Sequence, residues 1–184
     1  MSTQVVTKTP VRLSYVHLNE PRRGENGQPD KYGTLLIIPK RDTATVNQIN
    51  EAVEAARKQA LANGMQRAVN FRSPLRDGDG EKPNGGKYGP ECAGCWVLNT
   101  SSKRQPGMVD RRNQRIIDPG EIYSGIWAYV DINFACFSVP GNSGIACYIN
   151  NLQKVRDDEP LGGASARPED VFAPVYDDDA DLGL

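Results

Sequence analysis

IYSGIWAYVDINFACFSV, residues 122–139, alternates two kinds of side chain with a period of two. Its even positions are almost all apolar, beginning with Ile122, whereas its odd positions mix aromatic and polar groups and include Trp127. This alternation predicts a β-strand with one face in the core. The run is longer than the usual ~3–10 residues of a strand, so we expect it to bend, at Gly125, as strands of small barrels do.

A hairpin is predicted to follow this strand. Residues 140–144, PGNSG, are typical of a turn, and residues 145–155 then return antiparallel. The apolar phase shifts at Asn150-Asn151, which indicates a β-bulge. Further strands are predicted by alternation and β-branched content at the residues 11–18, 32–38 and 95–100.

One helix is predicted after the second strand. Asp42 or Thr43 can cap it, an Ala-rich apolar stripe recurs at helical spacing, and Asn63-Gly64 ends it. Proline and glycine predict loops at 19–30 and 72–94. Because strands and helices do not alternate along the chain, we predict a mostly β fold, a five-stranded antiparallel barrel with one α-helix and long loops.

The net charge of -1 conceals two oppositely charged regions. Residues 1–156 carry 21 Lys and Arg against 14 Asp and Glu, a net charge of +7, and residues 157–184 carry one Arg against nine acids, a net charge of -8. We therefore predict a folded basic domain over 1–156 and a flexible acidic tail over 157–184. No apolar run reaches the ~20 residues of a membrane span, so we expect no membrane partner.

Cations that follow phosphates and aromatic faces that stack on bases together bind single-stranded nucleic acid. The basic domain supplies both in its loops and on the mixed strand face. An ordinary solvated surface, and rings that only cover the core, are the alternatives for each residue taken alone. The predicted DNA-binding residues are Arg22, Arg23, Tyr32, Arg76, Tyr88, Lys103, Arg104, Arg111, Tyr123 and Trp127.

The acidic tail has two predicted roles. A tethered polyanion competes with DNA for a cationic groove at high effective concentration. Its acidic and leucine-rich end can also dock on basic, apolar pockets of replication or recombination proteins; a tail that only improves solubility is the alternative. The residues predicted to bind partners are Asp177, Asp178, Asp179, Asp181, Leu182 and Leu184.

Two alternatives involve a metal. Asp77, Asp79 and Glu81 alternate in a loop, which leaves open a metal-dependent nuclease, although the other ligands of a calcium loop are missing. No P-loop and no Gly-x-Ser-x-Gly motif is present. We predict no catalysis and no cofactor.

The four cysteines raise the second metal alternative. Cys92 and Cys95 have the spacing of half a zinc site, with Cys136 and Cys147, or His17, as the other half, which leaves open a zinc-stapled replisome adaptor. The other interpretation is that Cys136 and Cys147 are buried core residues. We assign no metal ligands.

Several segments occur in an order that resembles the bacteriophage single-stranded DNA-binding proteins, which have an OB fold and an acidic C-terminal tail. The resemblance runs from about residue 8 to the C-terminus. The segments are RLSYVHL at 12–18, KYGTLLIIPK at 31–40, PLRDGD at 74–79, SSKRQP at 101–106, YSG at 123–125 and QKVRDDEPLGG at 153–163.

This resemblance implies an OB-fold-like barrel that binds single-stranded DNA with little sequence preference during replication, recombination or repair, in the host cytoplasm. It implies no enzymatic activity. It adds Arg12 to the candidate DNA contacts and again indicates Tyr32, Arg76, Lys103, Arg104 and Tyr123. We also consider a homodimer.

Overall fold

The structure, a computed structural model, describes residues 2–161 and 171–175. Within these residues it contains eight β-strands, one α-helix and three short 3-10 helices. The strands and the helix are β1 Gln4–Val6, β2 Val11–Arg22, β3 Lys31–Pro39, α1 Thr43–Ala62, β4 Leu75–Asp77, β5 Cys95–Ser102, β6 Gly107–Val109, β7 Trp127–Val139 and β8 Asn142–Arg156. The 3-10 helices are Gln66–Asn70, Pro90–Cys92 and Pro119–Glu121.

Five of the strands pair in a closed ring. β2 pairs with β3, β3 with β5, β5 with β8, β8 with β7, and β7 again with β2. The predicted mostly β fold with a five-stranded barrel is therefore confirmed. Four of these pairings are antiparallel, but β5 and β8 are parallel where Ser101 lies opposite Tyr148. β1, β4 and β6 add three residues each to the outside of the ring.

The predicted hairpin forms, but its turn is shorter than the predicted 140–144, because β8 begins at Asn142. Val139 pairs with Asn142 across a two-residue turn, so β7 and β8 pair along almost their full lengths. Asp131 lies opposite Asn151 and Ile132 opposite Ile149, which makes Asn150 the extra residue of the predicted bulge. The even positions of β7 fill the barrel, and its odd positions are partly exposed.

The helix covers the barrel interior. Asp42 caps it by accepting a hydrogen bond from the backbone N–H of Thr45 at 3.2 Å. Its buried face, which includes Ile49 and Val53, joins the same cluster as Leu13 and Phe134 of the barrel. Burial of one such side chain contributes ~1.5–3 kcal/mol relative to exposure. The Ala-rich apolar stripe therefore packs against the barrel strands.

A smaller apolar cluster lies on the face of β3 and β5 that points away from the barrel interior. Leu35, Ile37, Val97 and Cys92 form it, and Leu161 is among the residues that pack against it. The chain after β8 therefore returns across this outer face. The predicted boundary of the flexible tail at residue 157 lies before these contacts, since residues 157–161 touch the barrel.

The boundaries of two predicted strands are wrong. β2 continues to Arg22, although a loop was predicted from Asn19, because β2 resumes pairing with β3 after a register shift, with Arg22 opposite Lys31. β7 begins only at Trp127. Gly125 has a φ of +124°, a conformation that interrupts the extended run predicted from residue 122.

Three short strands were not predicted. β1, β4 and β6 have three residues each, too few for a period of two to stand out in the sequence. β4 interrupts the loop predicted at 72–94. No helix among residues 2–161 and 171–175 is long and apolar enough to cross a membrane.

Candidate nucleic-acid interface

A large open groove runs over the outer face of β2, β3 and β5. The loop after β2, the segment between α1 and β5, and the tip of the β7–β8 hairpin form its walls. Its volume is about 1710 Å³. Gly33 lies at its base, where a Cβ would come within 2.4 Å of the Thr100 carbonyl oxygen, so the glycine lets β3 approach β5 closely.

The groove is strongly basic. Seven cationic side chains line it, and Glu25 is the one carboxylate among the described lining residues. Within the described part of the chain, none of the seven pairs with a carboxylate, so their charges remain available to an anion. The seven are Arg22, Arg23, Lys31, Arg67, Arg72, Arg76 and Lys82. Cations gathered in one concave surface reinforce each other's potential, which attracts a polyanion.

Aromatic rings lie among these cations. Lys82 Nζ lies 5.8 Å from the centre of the Tyr88 ring and 6.0 Å from that of Tyr15, so one ammonium group contacts both rings. Tyr32 and Phe137 line the groove as well. Proteins bind single-stranded nucleic acid with aromatic rings that stack on its bases and cations that contact its phosphates.

Tyr15 is the most unusual residue of the groove. Its φ is +47°, a left-handed conformation that is unfavourable for a bulky side chain. It lies where the register of β2 against β3 shifts between Ser14 and His17, and the residue is 59% exposed. A bulge of this kind re-aims a side chain, and backbone strain of this kind is concentrated at functional sites. The regular alternation of β2 in the sequence gave no sign of it.

The structure brings five of the eleven predicted DNA contacts together. These five line the groove, which also contains Tyr15, Phe137, Lys31 and Arg67, none of which was predicted. The five are Arg22, Arg23, Tyr32, Arg76 and Tyr88. Arg72 and Lys82, which lie within the loop predicted at 72–94, line it too. Proximity of Arg67 to the groove follows from the path of the chain after α1, which no local pattern reveals.

Three other predicted contacts lie together at a second place. Arg12, Tyr123 and Trp127 lie beneath residues 157–161, which we call the strap. Trp127 Nε1 donates to Asp158 Oδ2 at 2.8 Å, and the Tyr123 hydroxyl donates to Asp157 Oδ1 at 2.7 Å. Their polar groups therefore bind the chain's own acidic residues.

The last three predicted contacts lie outside both places. Lys103 and Arg104 are exposed in the turn between β5 and β6. Arg111 is exposed in the loop after β6, which is ordered because Asp110 Oδ1 accepts hydrogen bonds from the backbone N–H groups of Arg112 and Gln114. The tail residues predicted to bind partners, 177–184, lie outside the described residues.

The aspartates that were considered as metal ligands both contact a lysine. Lys40 Nζ lies 2.7 Å from Asp77 Oδ1 and 2.8 Å from Asp79 Oδ2. The hydrogen bonds from Lys40 lower the pKa of both carboxyl groups, and the two carboxylates raise the pKa of Lys40. Glu81 lies apart from this pair, and its backbone forms an isolated antiparallel β-bridge with that of Lys87 in the following loop. No cluster of three or more potential metal ligands occurs in 2–161 or 171–175.

The cysteines are separate thiols in the described chain. Cys92 and Cys95 flank a turn on the outer face of the sheet, and Cys147 lies in the core. Burial raises the pKa of the Cys92 thiol to about 11 and raises that of Cys147 as well. Thiols with a raised pKa remain protonated at neutral pH and are poor nucleophiles and metal ligands.

Comparison with solved structures finds close counterparts of this fold. The single-stranded DNA-binding protein from bacteriophage Enc34, in complex with ssDNA, is 29% identical over 86% of this chain and 88% of its own, with a TM-score of 0.72. A C-terminal truncation of the same phage protein is 27% identical over 88% and 94%, with a TM-score of 0.69. Gp2.5, a single-stranded DNA-binding protein encoded by bacteriophage T7, shares the fold at 12% identity over 89% and 97%, with a TM-score of 0.61.

No curated protein sequence matches this chain. The model of one protein family, described as the ssDNA-binding protein of Enterobacter phage Enc34, matches residues 3–182 and so spans the barrel and almost all of the acidic tail. The match includes every strand of the barrel and the segments that line the groove. The chain therefore belongs to the phage Enc34 family of ssDNA-binding proteins.

Proposed function

We propose that this protein binds single-stranded DNA in the basic groove, with little preference for sequence and without catalysis. The observation that carries the proposal is the groove itself, in which seven cations and several aromatic rings line one concave face with a single carboxylate among them. The solved complex of the Enc34 protein with ssDNA supports it. The role would be to protect and organise ssDNA during phage replication, recombination or repair in the host cytoplasm.

The groove suits a single strand better than a duplex. Arginine and lysine side chains contact phosphates without reading a base, so affinity depends on salt and only weakly on sequence. Tyr15 and Tyr88 offer ring faces to unstacked bases, each worth ~1–3 kcal/mol when a base stacks on it. Bases in a duplex are already stacked on each other, so the rings of the groove add nothing to duplex binding.

Fluorescence anisotropy tests the proposal directly. The full-length protein is titrated into labelled oligo-dT and into a duplex of the same length over a series of salt concentrations. We expect tighter binding to the single strand and a slope of log K against log salt of about -0.7 for each phosphate contact. Equal affinity for the duplex and the single strand would contradict the proposal.

We propose in addition that the acidic tail regulates access to the groove. Removal of residues 177–184 deletes four aspartates, and the expected result is tighter ssDNA binding, most clearly at low salt where charge competition is strongest. The anisotropy titration above measures it, and unchanged affinity at low salt would reject competition by the tail.

The same tail end is proposed to recruit replication or recombination proteins of the host or phage. Immobilised full-length protein should then retain such proteins, and the protein without residues 177–184 should not.

A homodimer is a separate proposal about assembly. Light scattering of the free protein measures its mass. Twice the monomer mass would support the homodimer, and the monomer mass of 20.2 kDa would contradict it.

A further inference from the structure

The strap covers a second site made of cations and aromatic rings. Arg12 Nη2 donates to the Glu159 carbonyl at 2.8 Å and lies 3.6 Å from Asp158 Oδ2. Lys154 Nζ lies 2.7 Å from Asp157 Oδ1, and the Arg156 guanidinium stacks 4.6 Å from the centre of the Trp127 ring. Three cations and the Tyr123 and Trp127 rings therefore converge on the acidic strap.

These donors match the chemistry of a nucleotide. The hydroxyl of Tyr123, the indole N–H of Trp127 and the ammonium of Lys154 now donate to carboxylate oxygens, and phosphate oxygens accept the same hydrogen bonds. The face of Trp127 now carries a guanidinium group, and a base stacks on such a face in a single-strand site. The strap thus presents carboxylates where a phosphate backbone would fit.

The covered site continues the groove. Leu161, at the end of the strap, packs against the cluster that contains Leu35 and Val97, and both of these residues line the groove. At the other end, Arg12 lies opposite Trp127 where β2 pairs with β7. The strap therefore runs over the same sheet face from β7 to the edge of the groove.

We propose that the surface beneath the strap is a second subsite for single-stranded DNA, which the strap occupies until a strand long enough to extend beyond the groove displaces it. This inference rests on the proposed function of the groove. It is distinct from competition by residues 177–184, because it concerns the five residues next to the barrel and the surface that they cover.

The contacts of the strap are of a kind that DNA can replace. They are ion pairs and hydrogen bonds whose carboxylates reach solvent, where salt and other ions weaken them, although the cations beneath are more buried, with side chains 17% exposed at Arg12 and 8% exposed at Lys154. The side chain of Asp157 is 61% exposed and that of Asp158 is 33% exposed. The backbone of the strap is held to the barrel by the Arg12 side chain, by the Tyr123 hydroxyl and by one backbone–backbone bond, from the Leu161 N–H to the Ser124 carbonyl at 2.9 Å.

Trp127 provides a local signal for the test. The full-length protein with Trp96→Phe keeps Trp127 as its one tryptophan, since the chain has two. In this background, Asp157→Asn with Asp158→Asn weakens the strap without a change of side-chain size. Asp177→Asn with Asp178→Asn is the matched control, because it removes the same two charges from the tail and leaves the strap intact. Oligo-dT of about 10 and about 30 nucleotides is the probe, to bracket the length that one barrel covers.

The strap variant is expected to show quenching of Trp127 by oligo-dT at lower DNA concentrations than its parent and the tail control. Its salt slope with the longer strand should steepen by about 1.4, from Arg12 and Arg156 at about 0.7 each, because Lys154 stays paired with Glu121 at 2.6 Å. Thermal melting verifies that the variants fold. Trp127→Leu in the full-length protein is a second variant, and it should weaken binding of the longer strand about tenfold while it spares the shorter one.

The outcomes separate this inference from the proposed function. If anisotropy shows binding but Trp127 emission and the salt slope of the strap variant equal those of the tail control, the subsite is refuted and the groove stands. Equal affinity of Trp127→Leu and its parent for the longer strand also refutes it. If no variant binds oligo-dT by anisotropy, the proposed function fails and the subsite fails with it.

Discussion

Replacement of Tyr15 by glycine should separate DNA affinity from stability. Tyr15 lines the groove, is 59% exposed and has its backbone at a φ of +47°. Glycine removes the ring, and with it the stacking surface, but adopts this φ without a steric penalty. A residue chosen for stability would not combine a bulky side chain with this conformation. We therefore expect lower affinity and no comparable loss of stability.

The magnitudes follow from the contacts of this residue. Loss of one stacked base costs ~1–3 kcal/mol, which raises the Kd for oligo-dT about 5- to 150-fold. Relief of the left-handed backbone contributes ~1–2 kcal/mol to the free energy of unfolding. Loss of the Lys82 contact at 6.0 Å and the greater freedom of glycine in the unfolded chain cost ~0.5–1 kcal/mol each. The free energy of unfolding should therefore change by no more than about 1 kcal/mol.

The assay combines anisotropy with urea unfolding. Tyr148→Ala is the matched control, because Tyr148 is exposed on β8 and is not among the residues that line the groove. The control should bind like the parent. The salt slope of Tyr15→Gly should equal that of the parent, since no cation is lost. A folded Tyr15→Gly protein with the affinity of the parent at every salt concentration would refute the stacking role.

Three more predictions concern charge, packing and pH. Arg76→Ala should reduce the salt slope of ssDNA binding by about 0.7, and Arg115→Ala, outside the groove, should leave it unchanged in the same titration. Gly33→Ala should lower the free energy of unfolding by ~1–3 kcal/mol in urea, because its Cβ would lie 2.4 Å from a β5 carbonyl oxygen; an unaltered midpoint would contradict this. The hydrogen bond from the Trp127 indole lowers the pKa of Asp158 from its usual 3.8, so its stabilising effect is present above that value and is lost as the pH falls through the lower pKa of the folded state. Thermal melts from pH 7 to about pH 2 should therefore show a smaller acid loss for Asp158→Asn than for the parent, and parallel curves would exclude this contact.

The hairpin and the helix could be read from the sequence because their signals are local. The alternation from Trp127 to Val139, the turn after it and the bulge at Asn150 are each encoded within a few residues. The Asp42 cap and the apolar stripe of α1 are equally local. The short strands were missed because pairing with distant partners, not periodicity, holds three residues extended.

The site was predictable in its composition and only partly in its members. Arg76 and Tyr88 are typical loop residues of a nucleic-acid binder and do line the groove. Tyr15 was missed, because a bulge within a regular strand depends on its pairing with β3. Trp127 was predicted as a stacking ring. In the structure its indole N–H donates to Asp158, which belongs to the segment predicted only as a flexible tail, and its ring face contacts the Arg156 guanidinium at the end of β8.

The sequence by itself determined that a basic body is followed by an acidic end, and that the body folds as strands with one helix, because charge and short-range periodicity need no knowledge of long-range contacts. The tertiary structure alone decided which cations share a surface. Barrel closure brings Arg22, Arg67 and Lys82 from separate segments into one groove, and it places Arg12 beside Trp127, where the chain's own carboxylates cover both. Such groupings depend on how distant segments pack, and no pattern within a few residues contains that information.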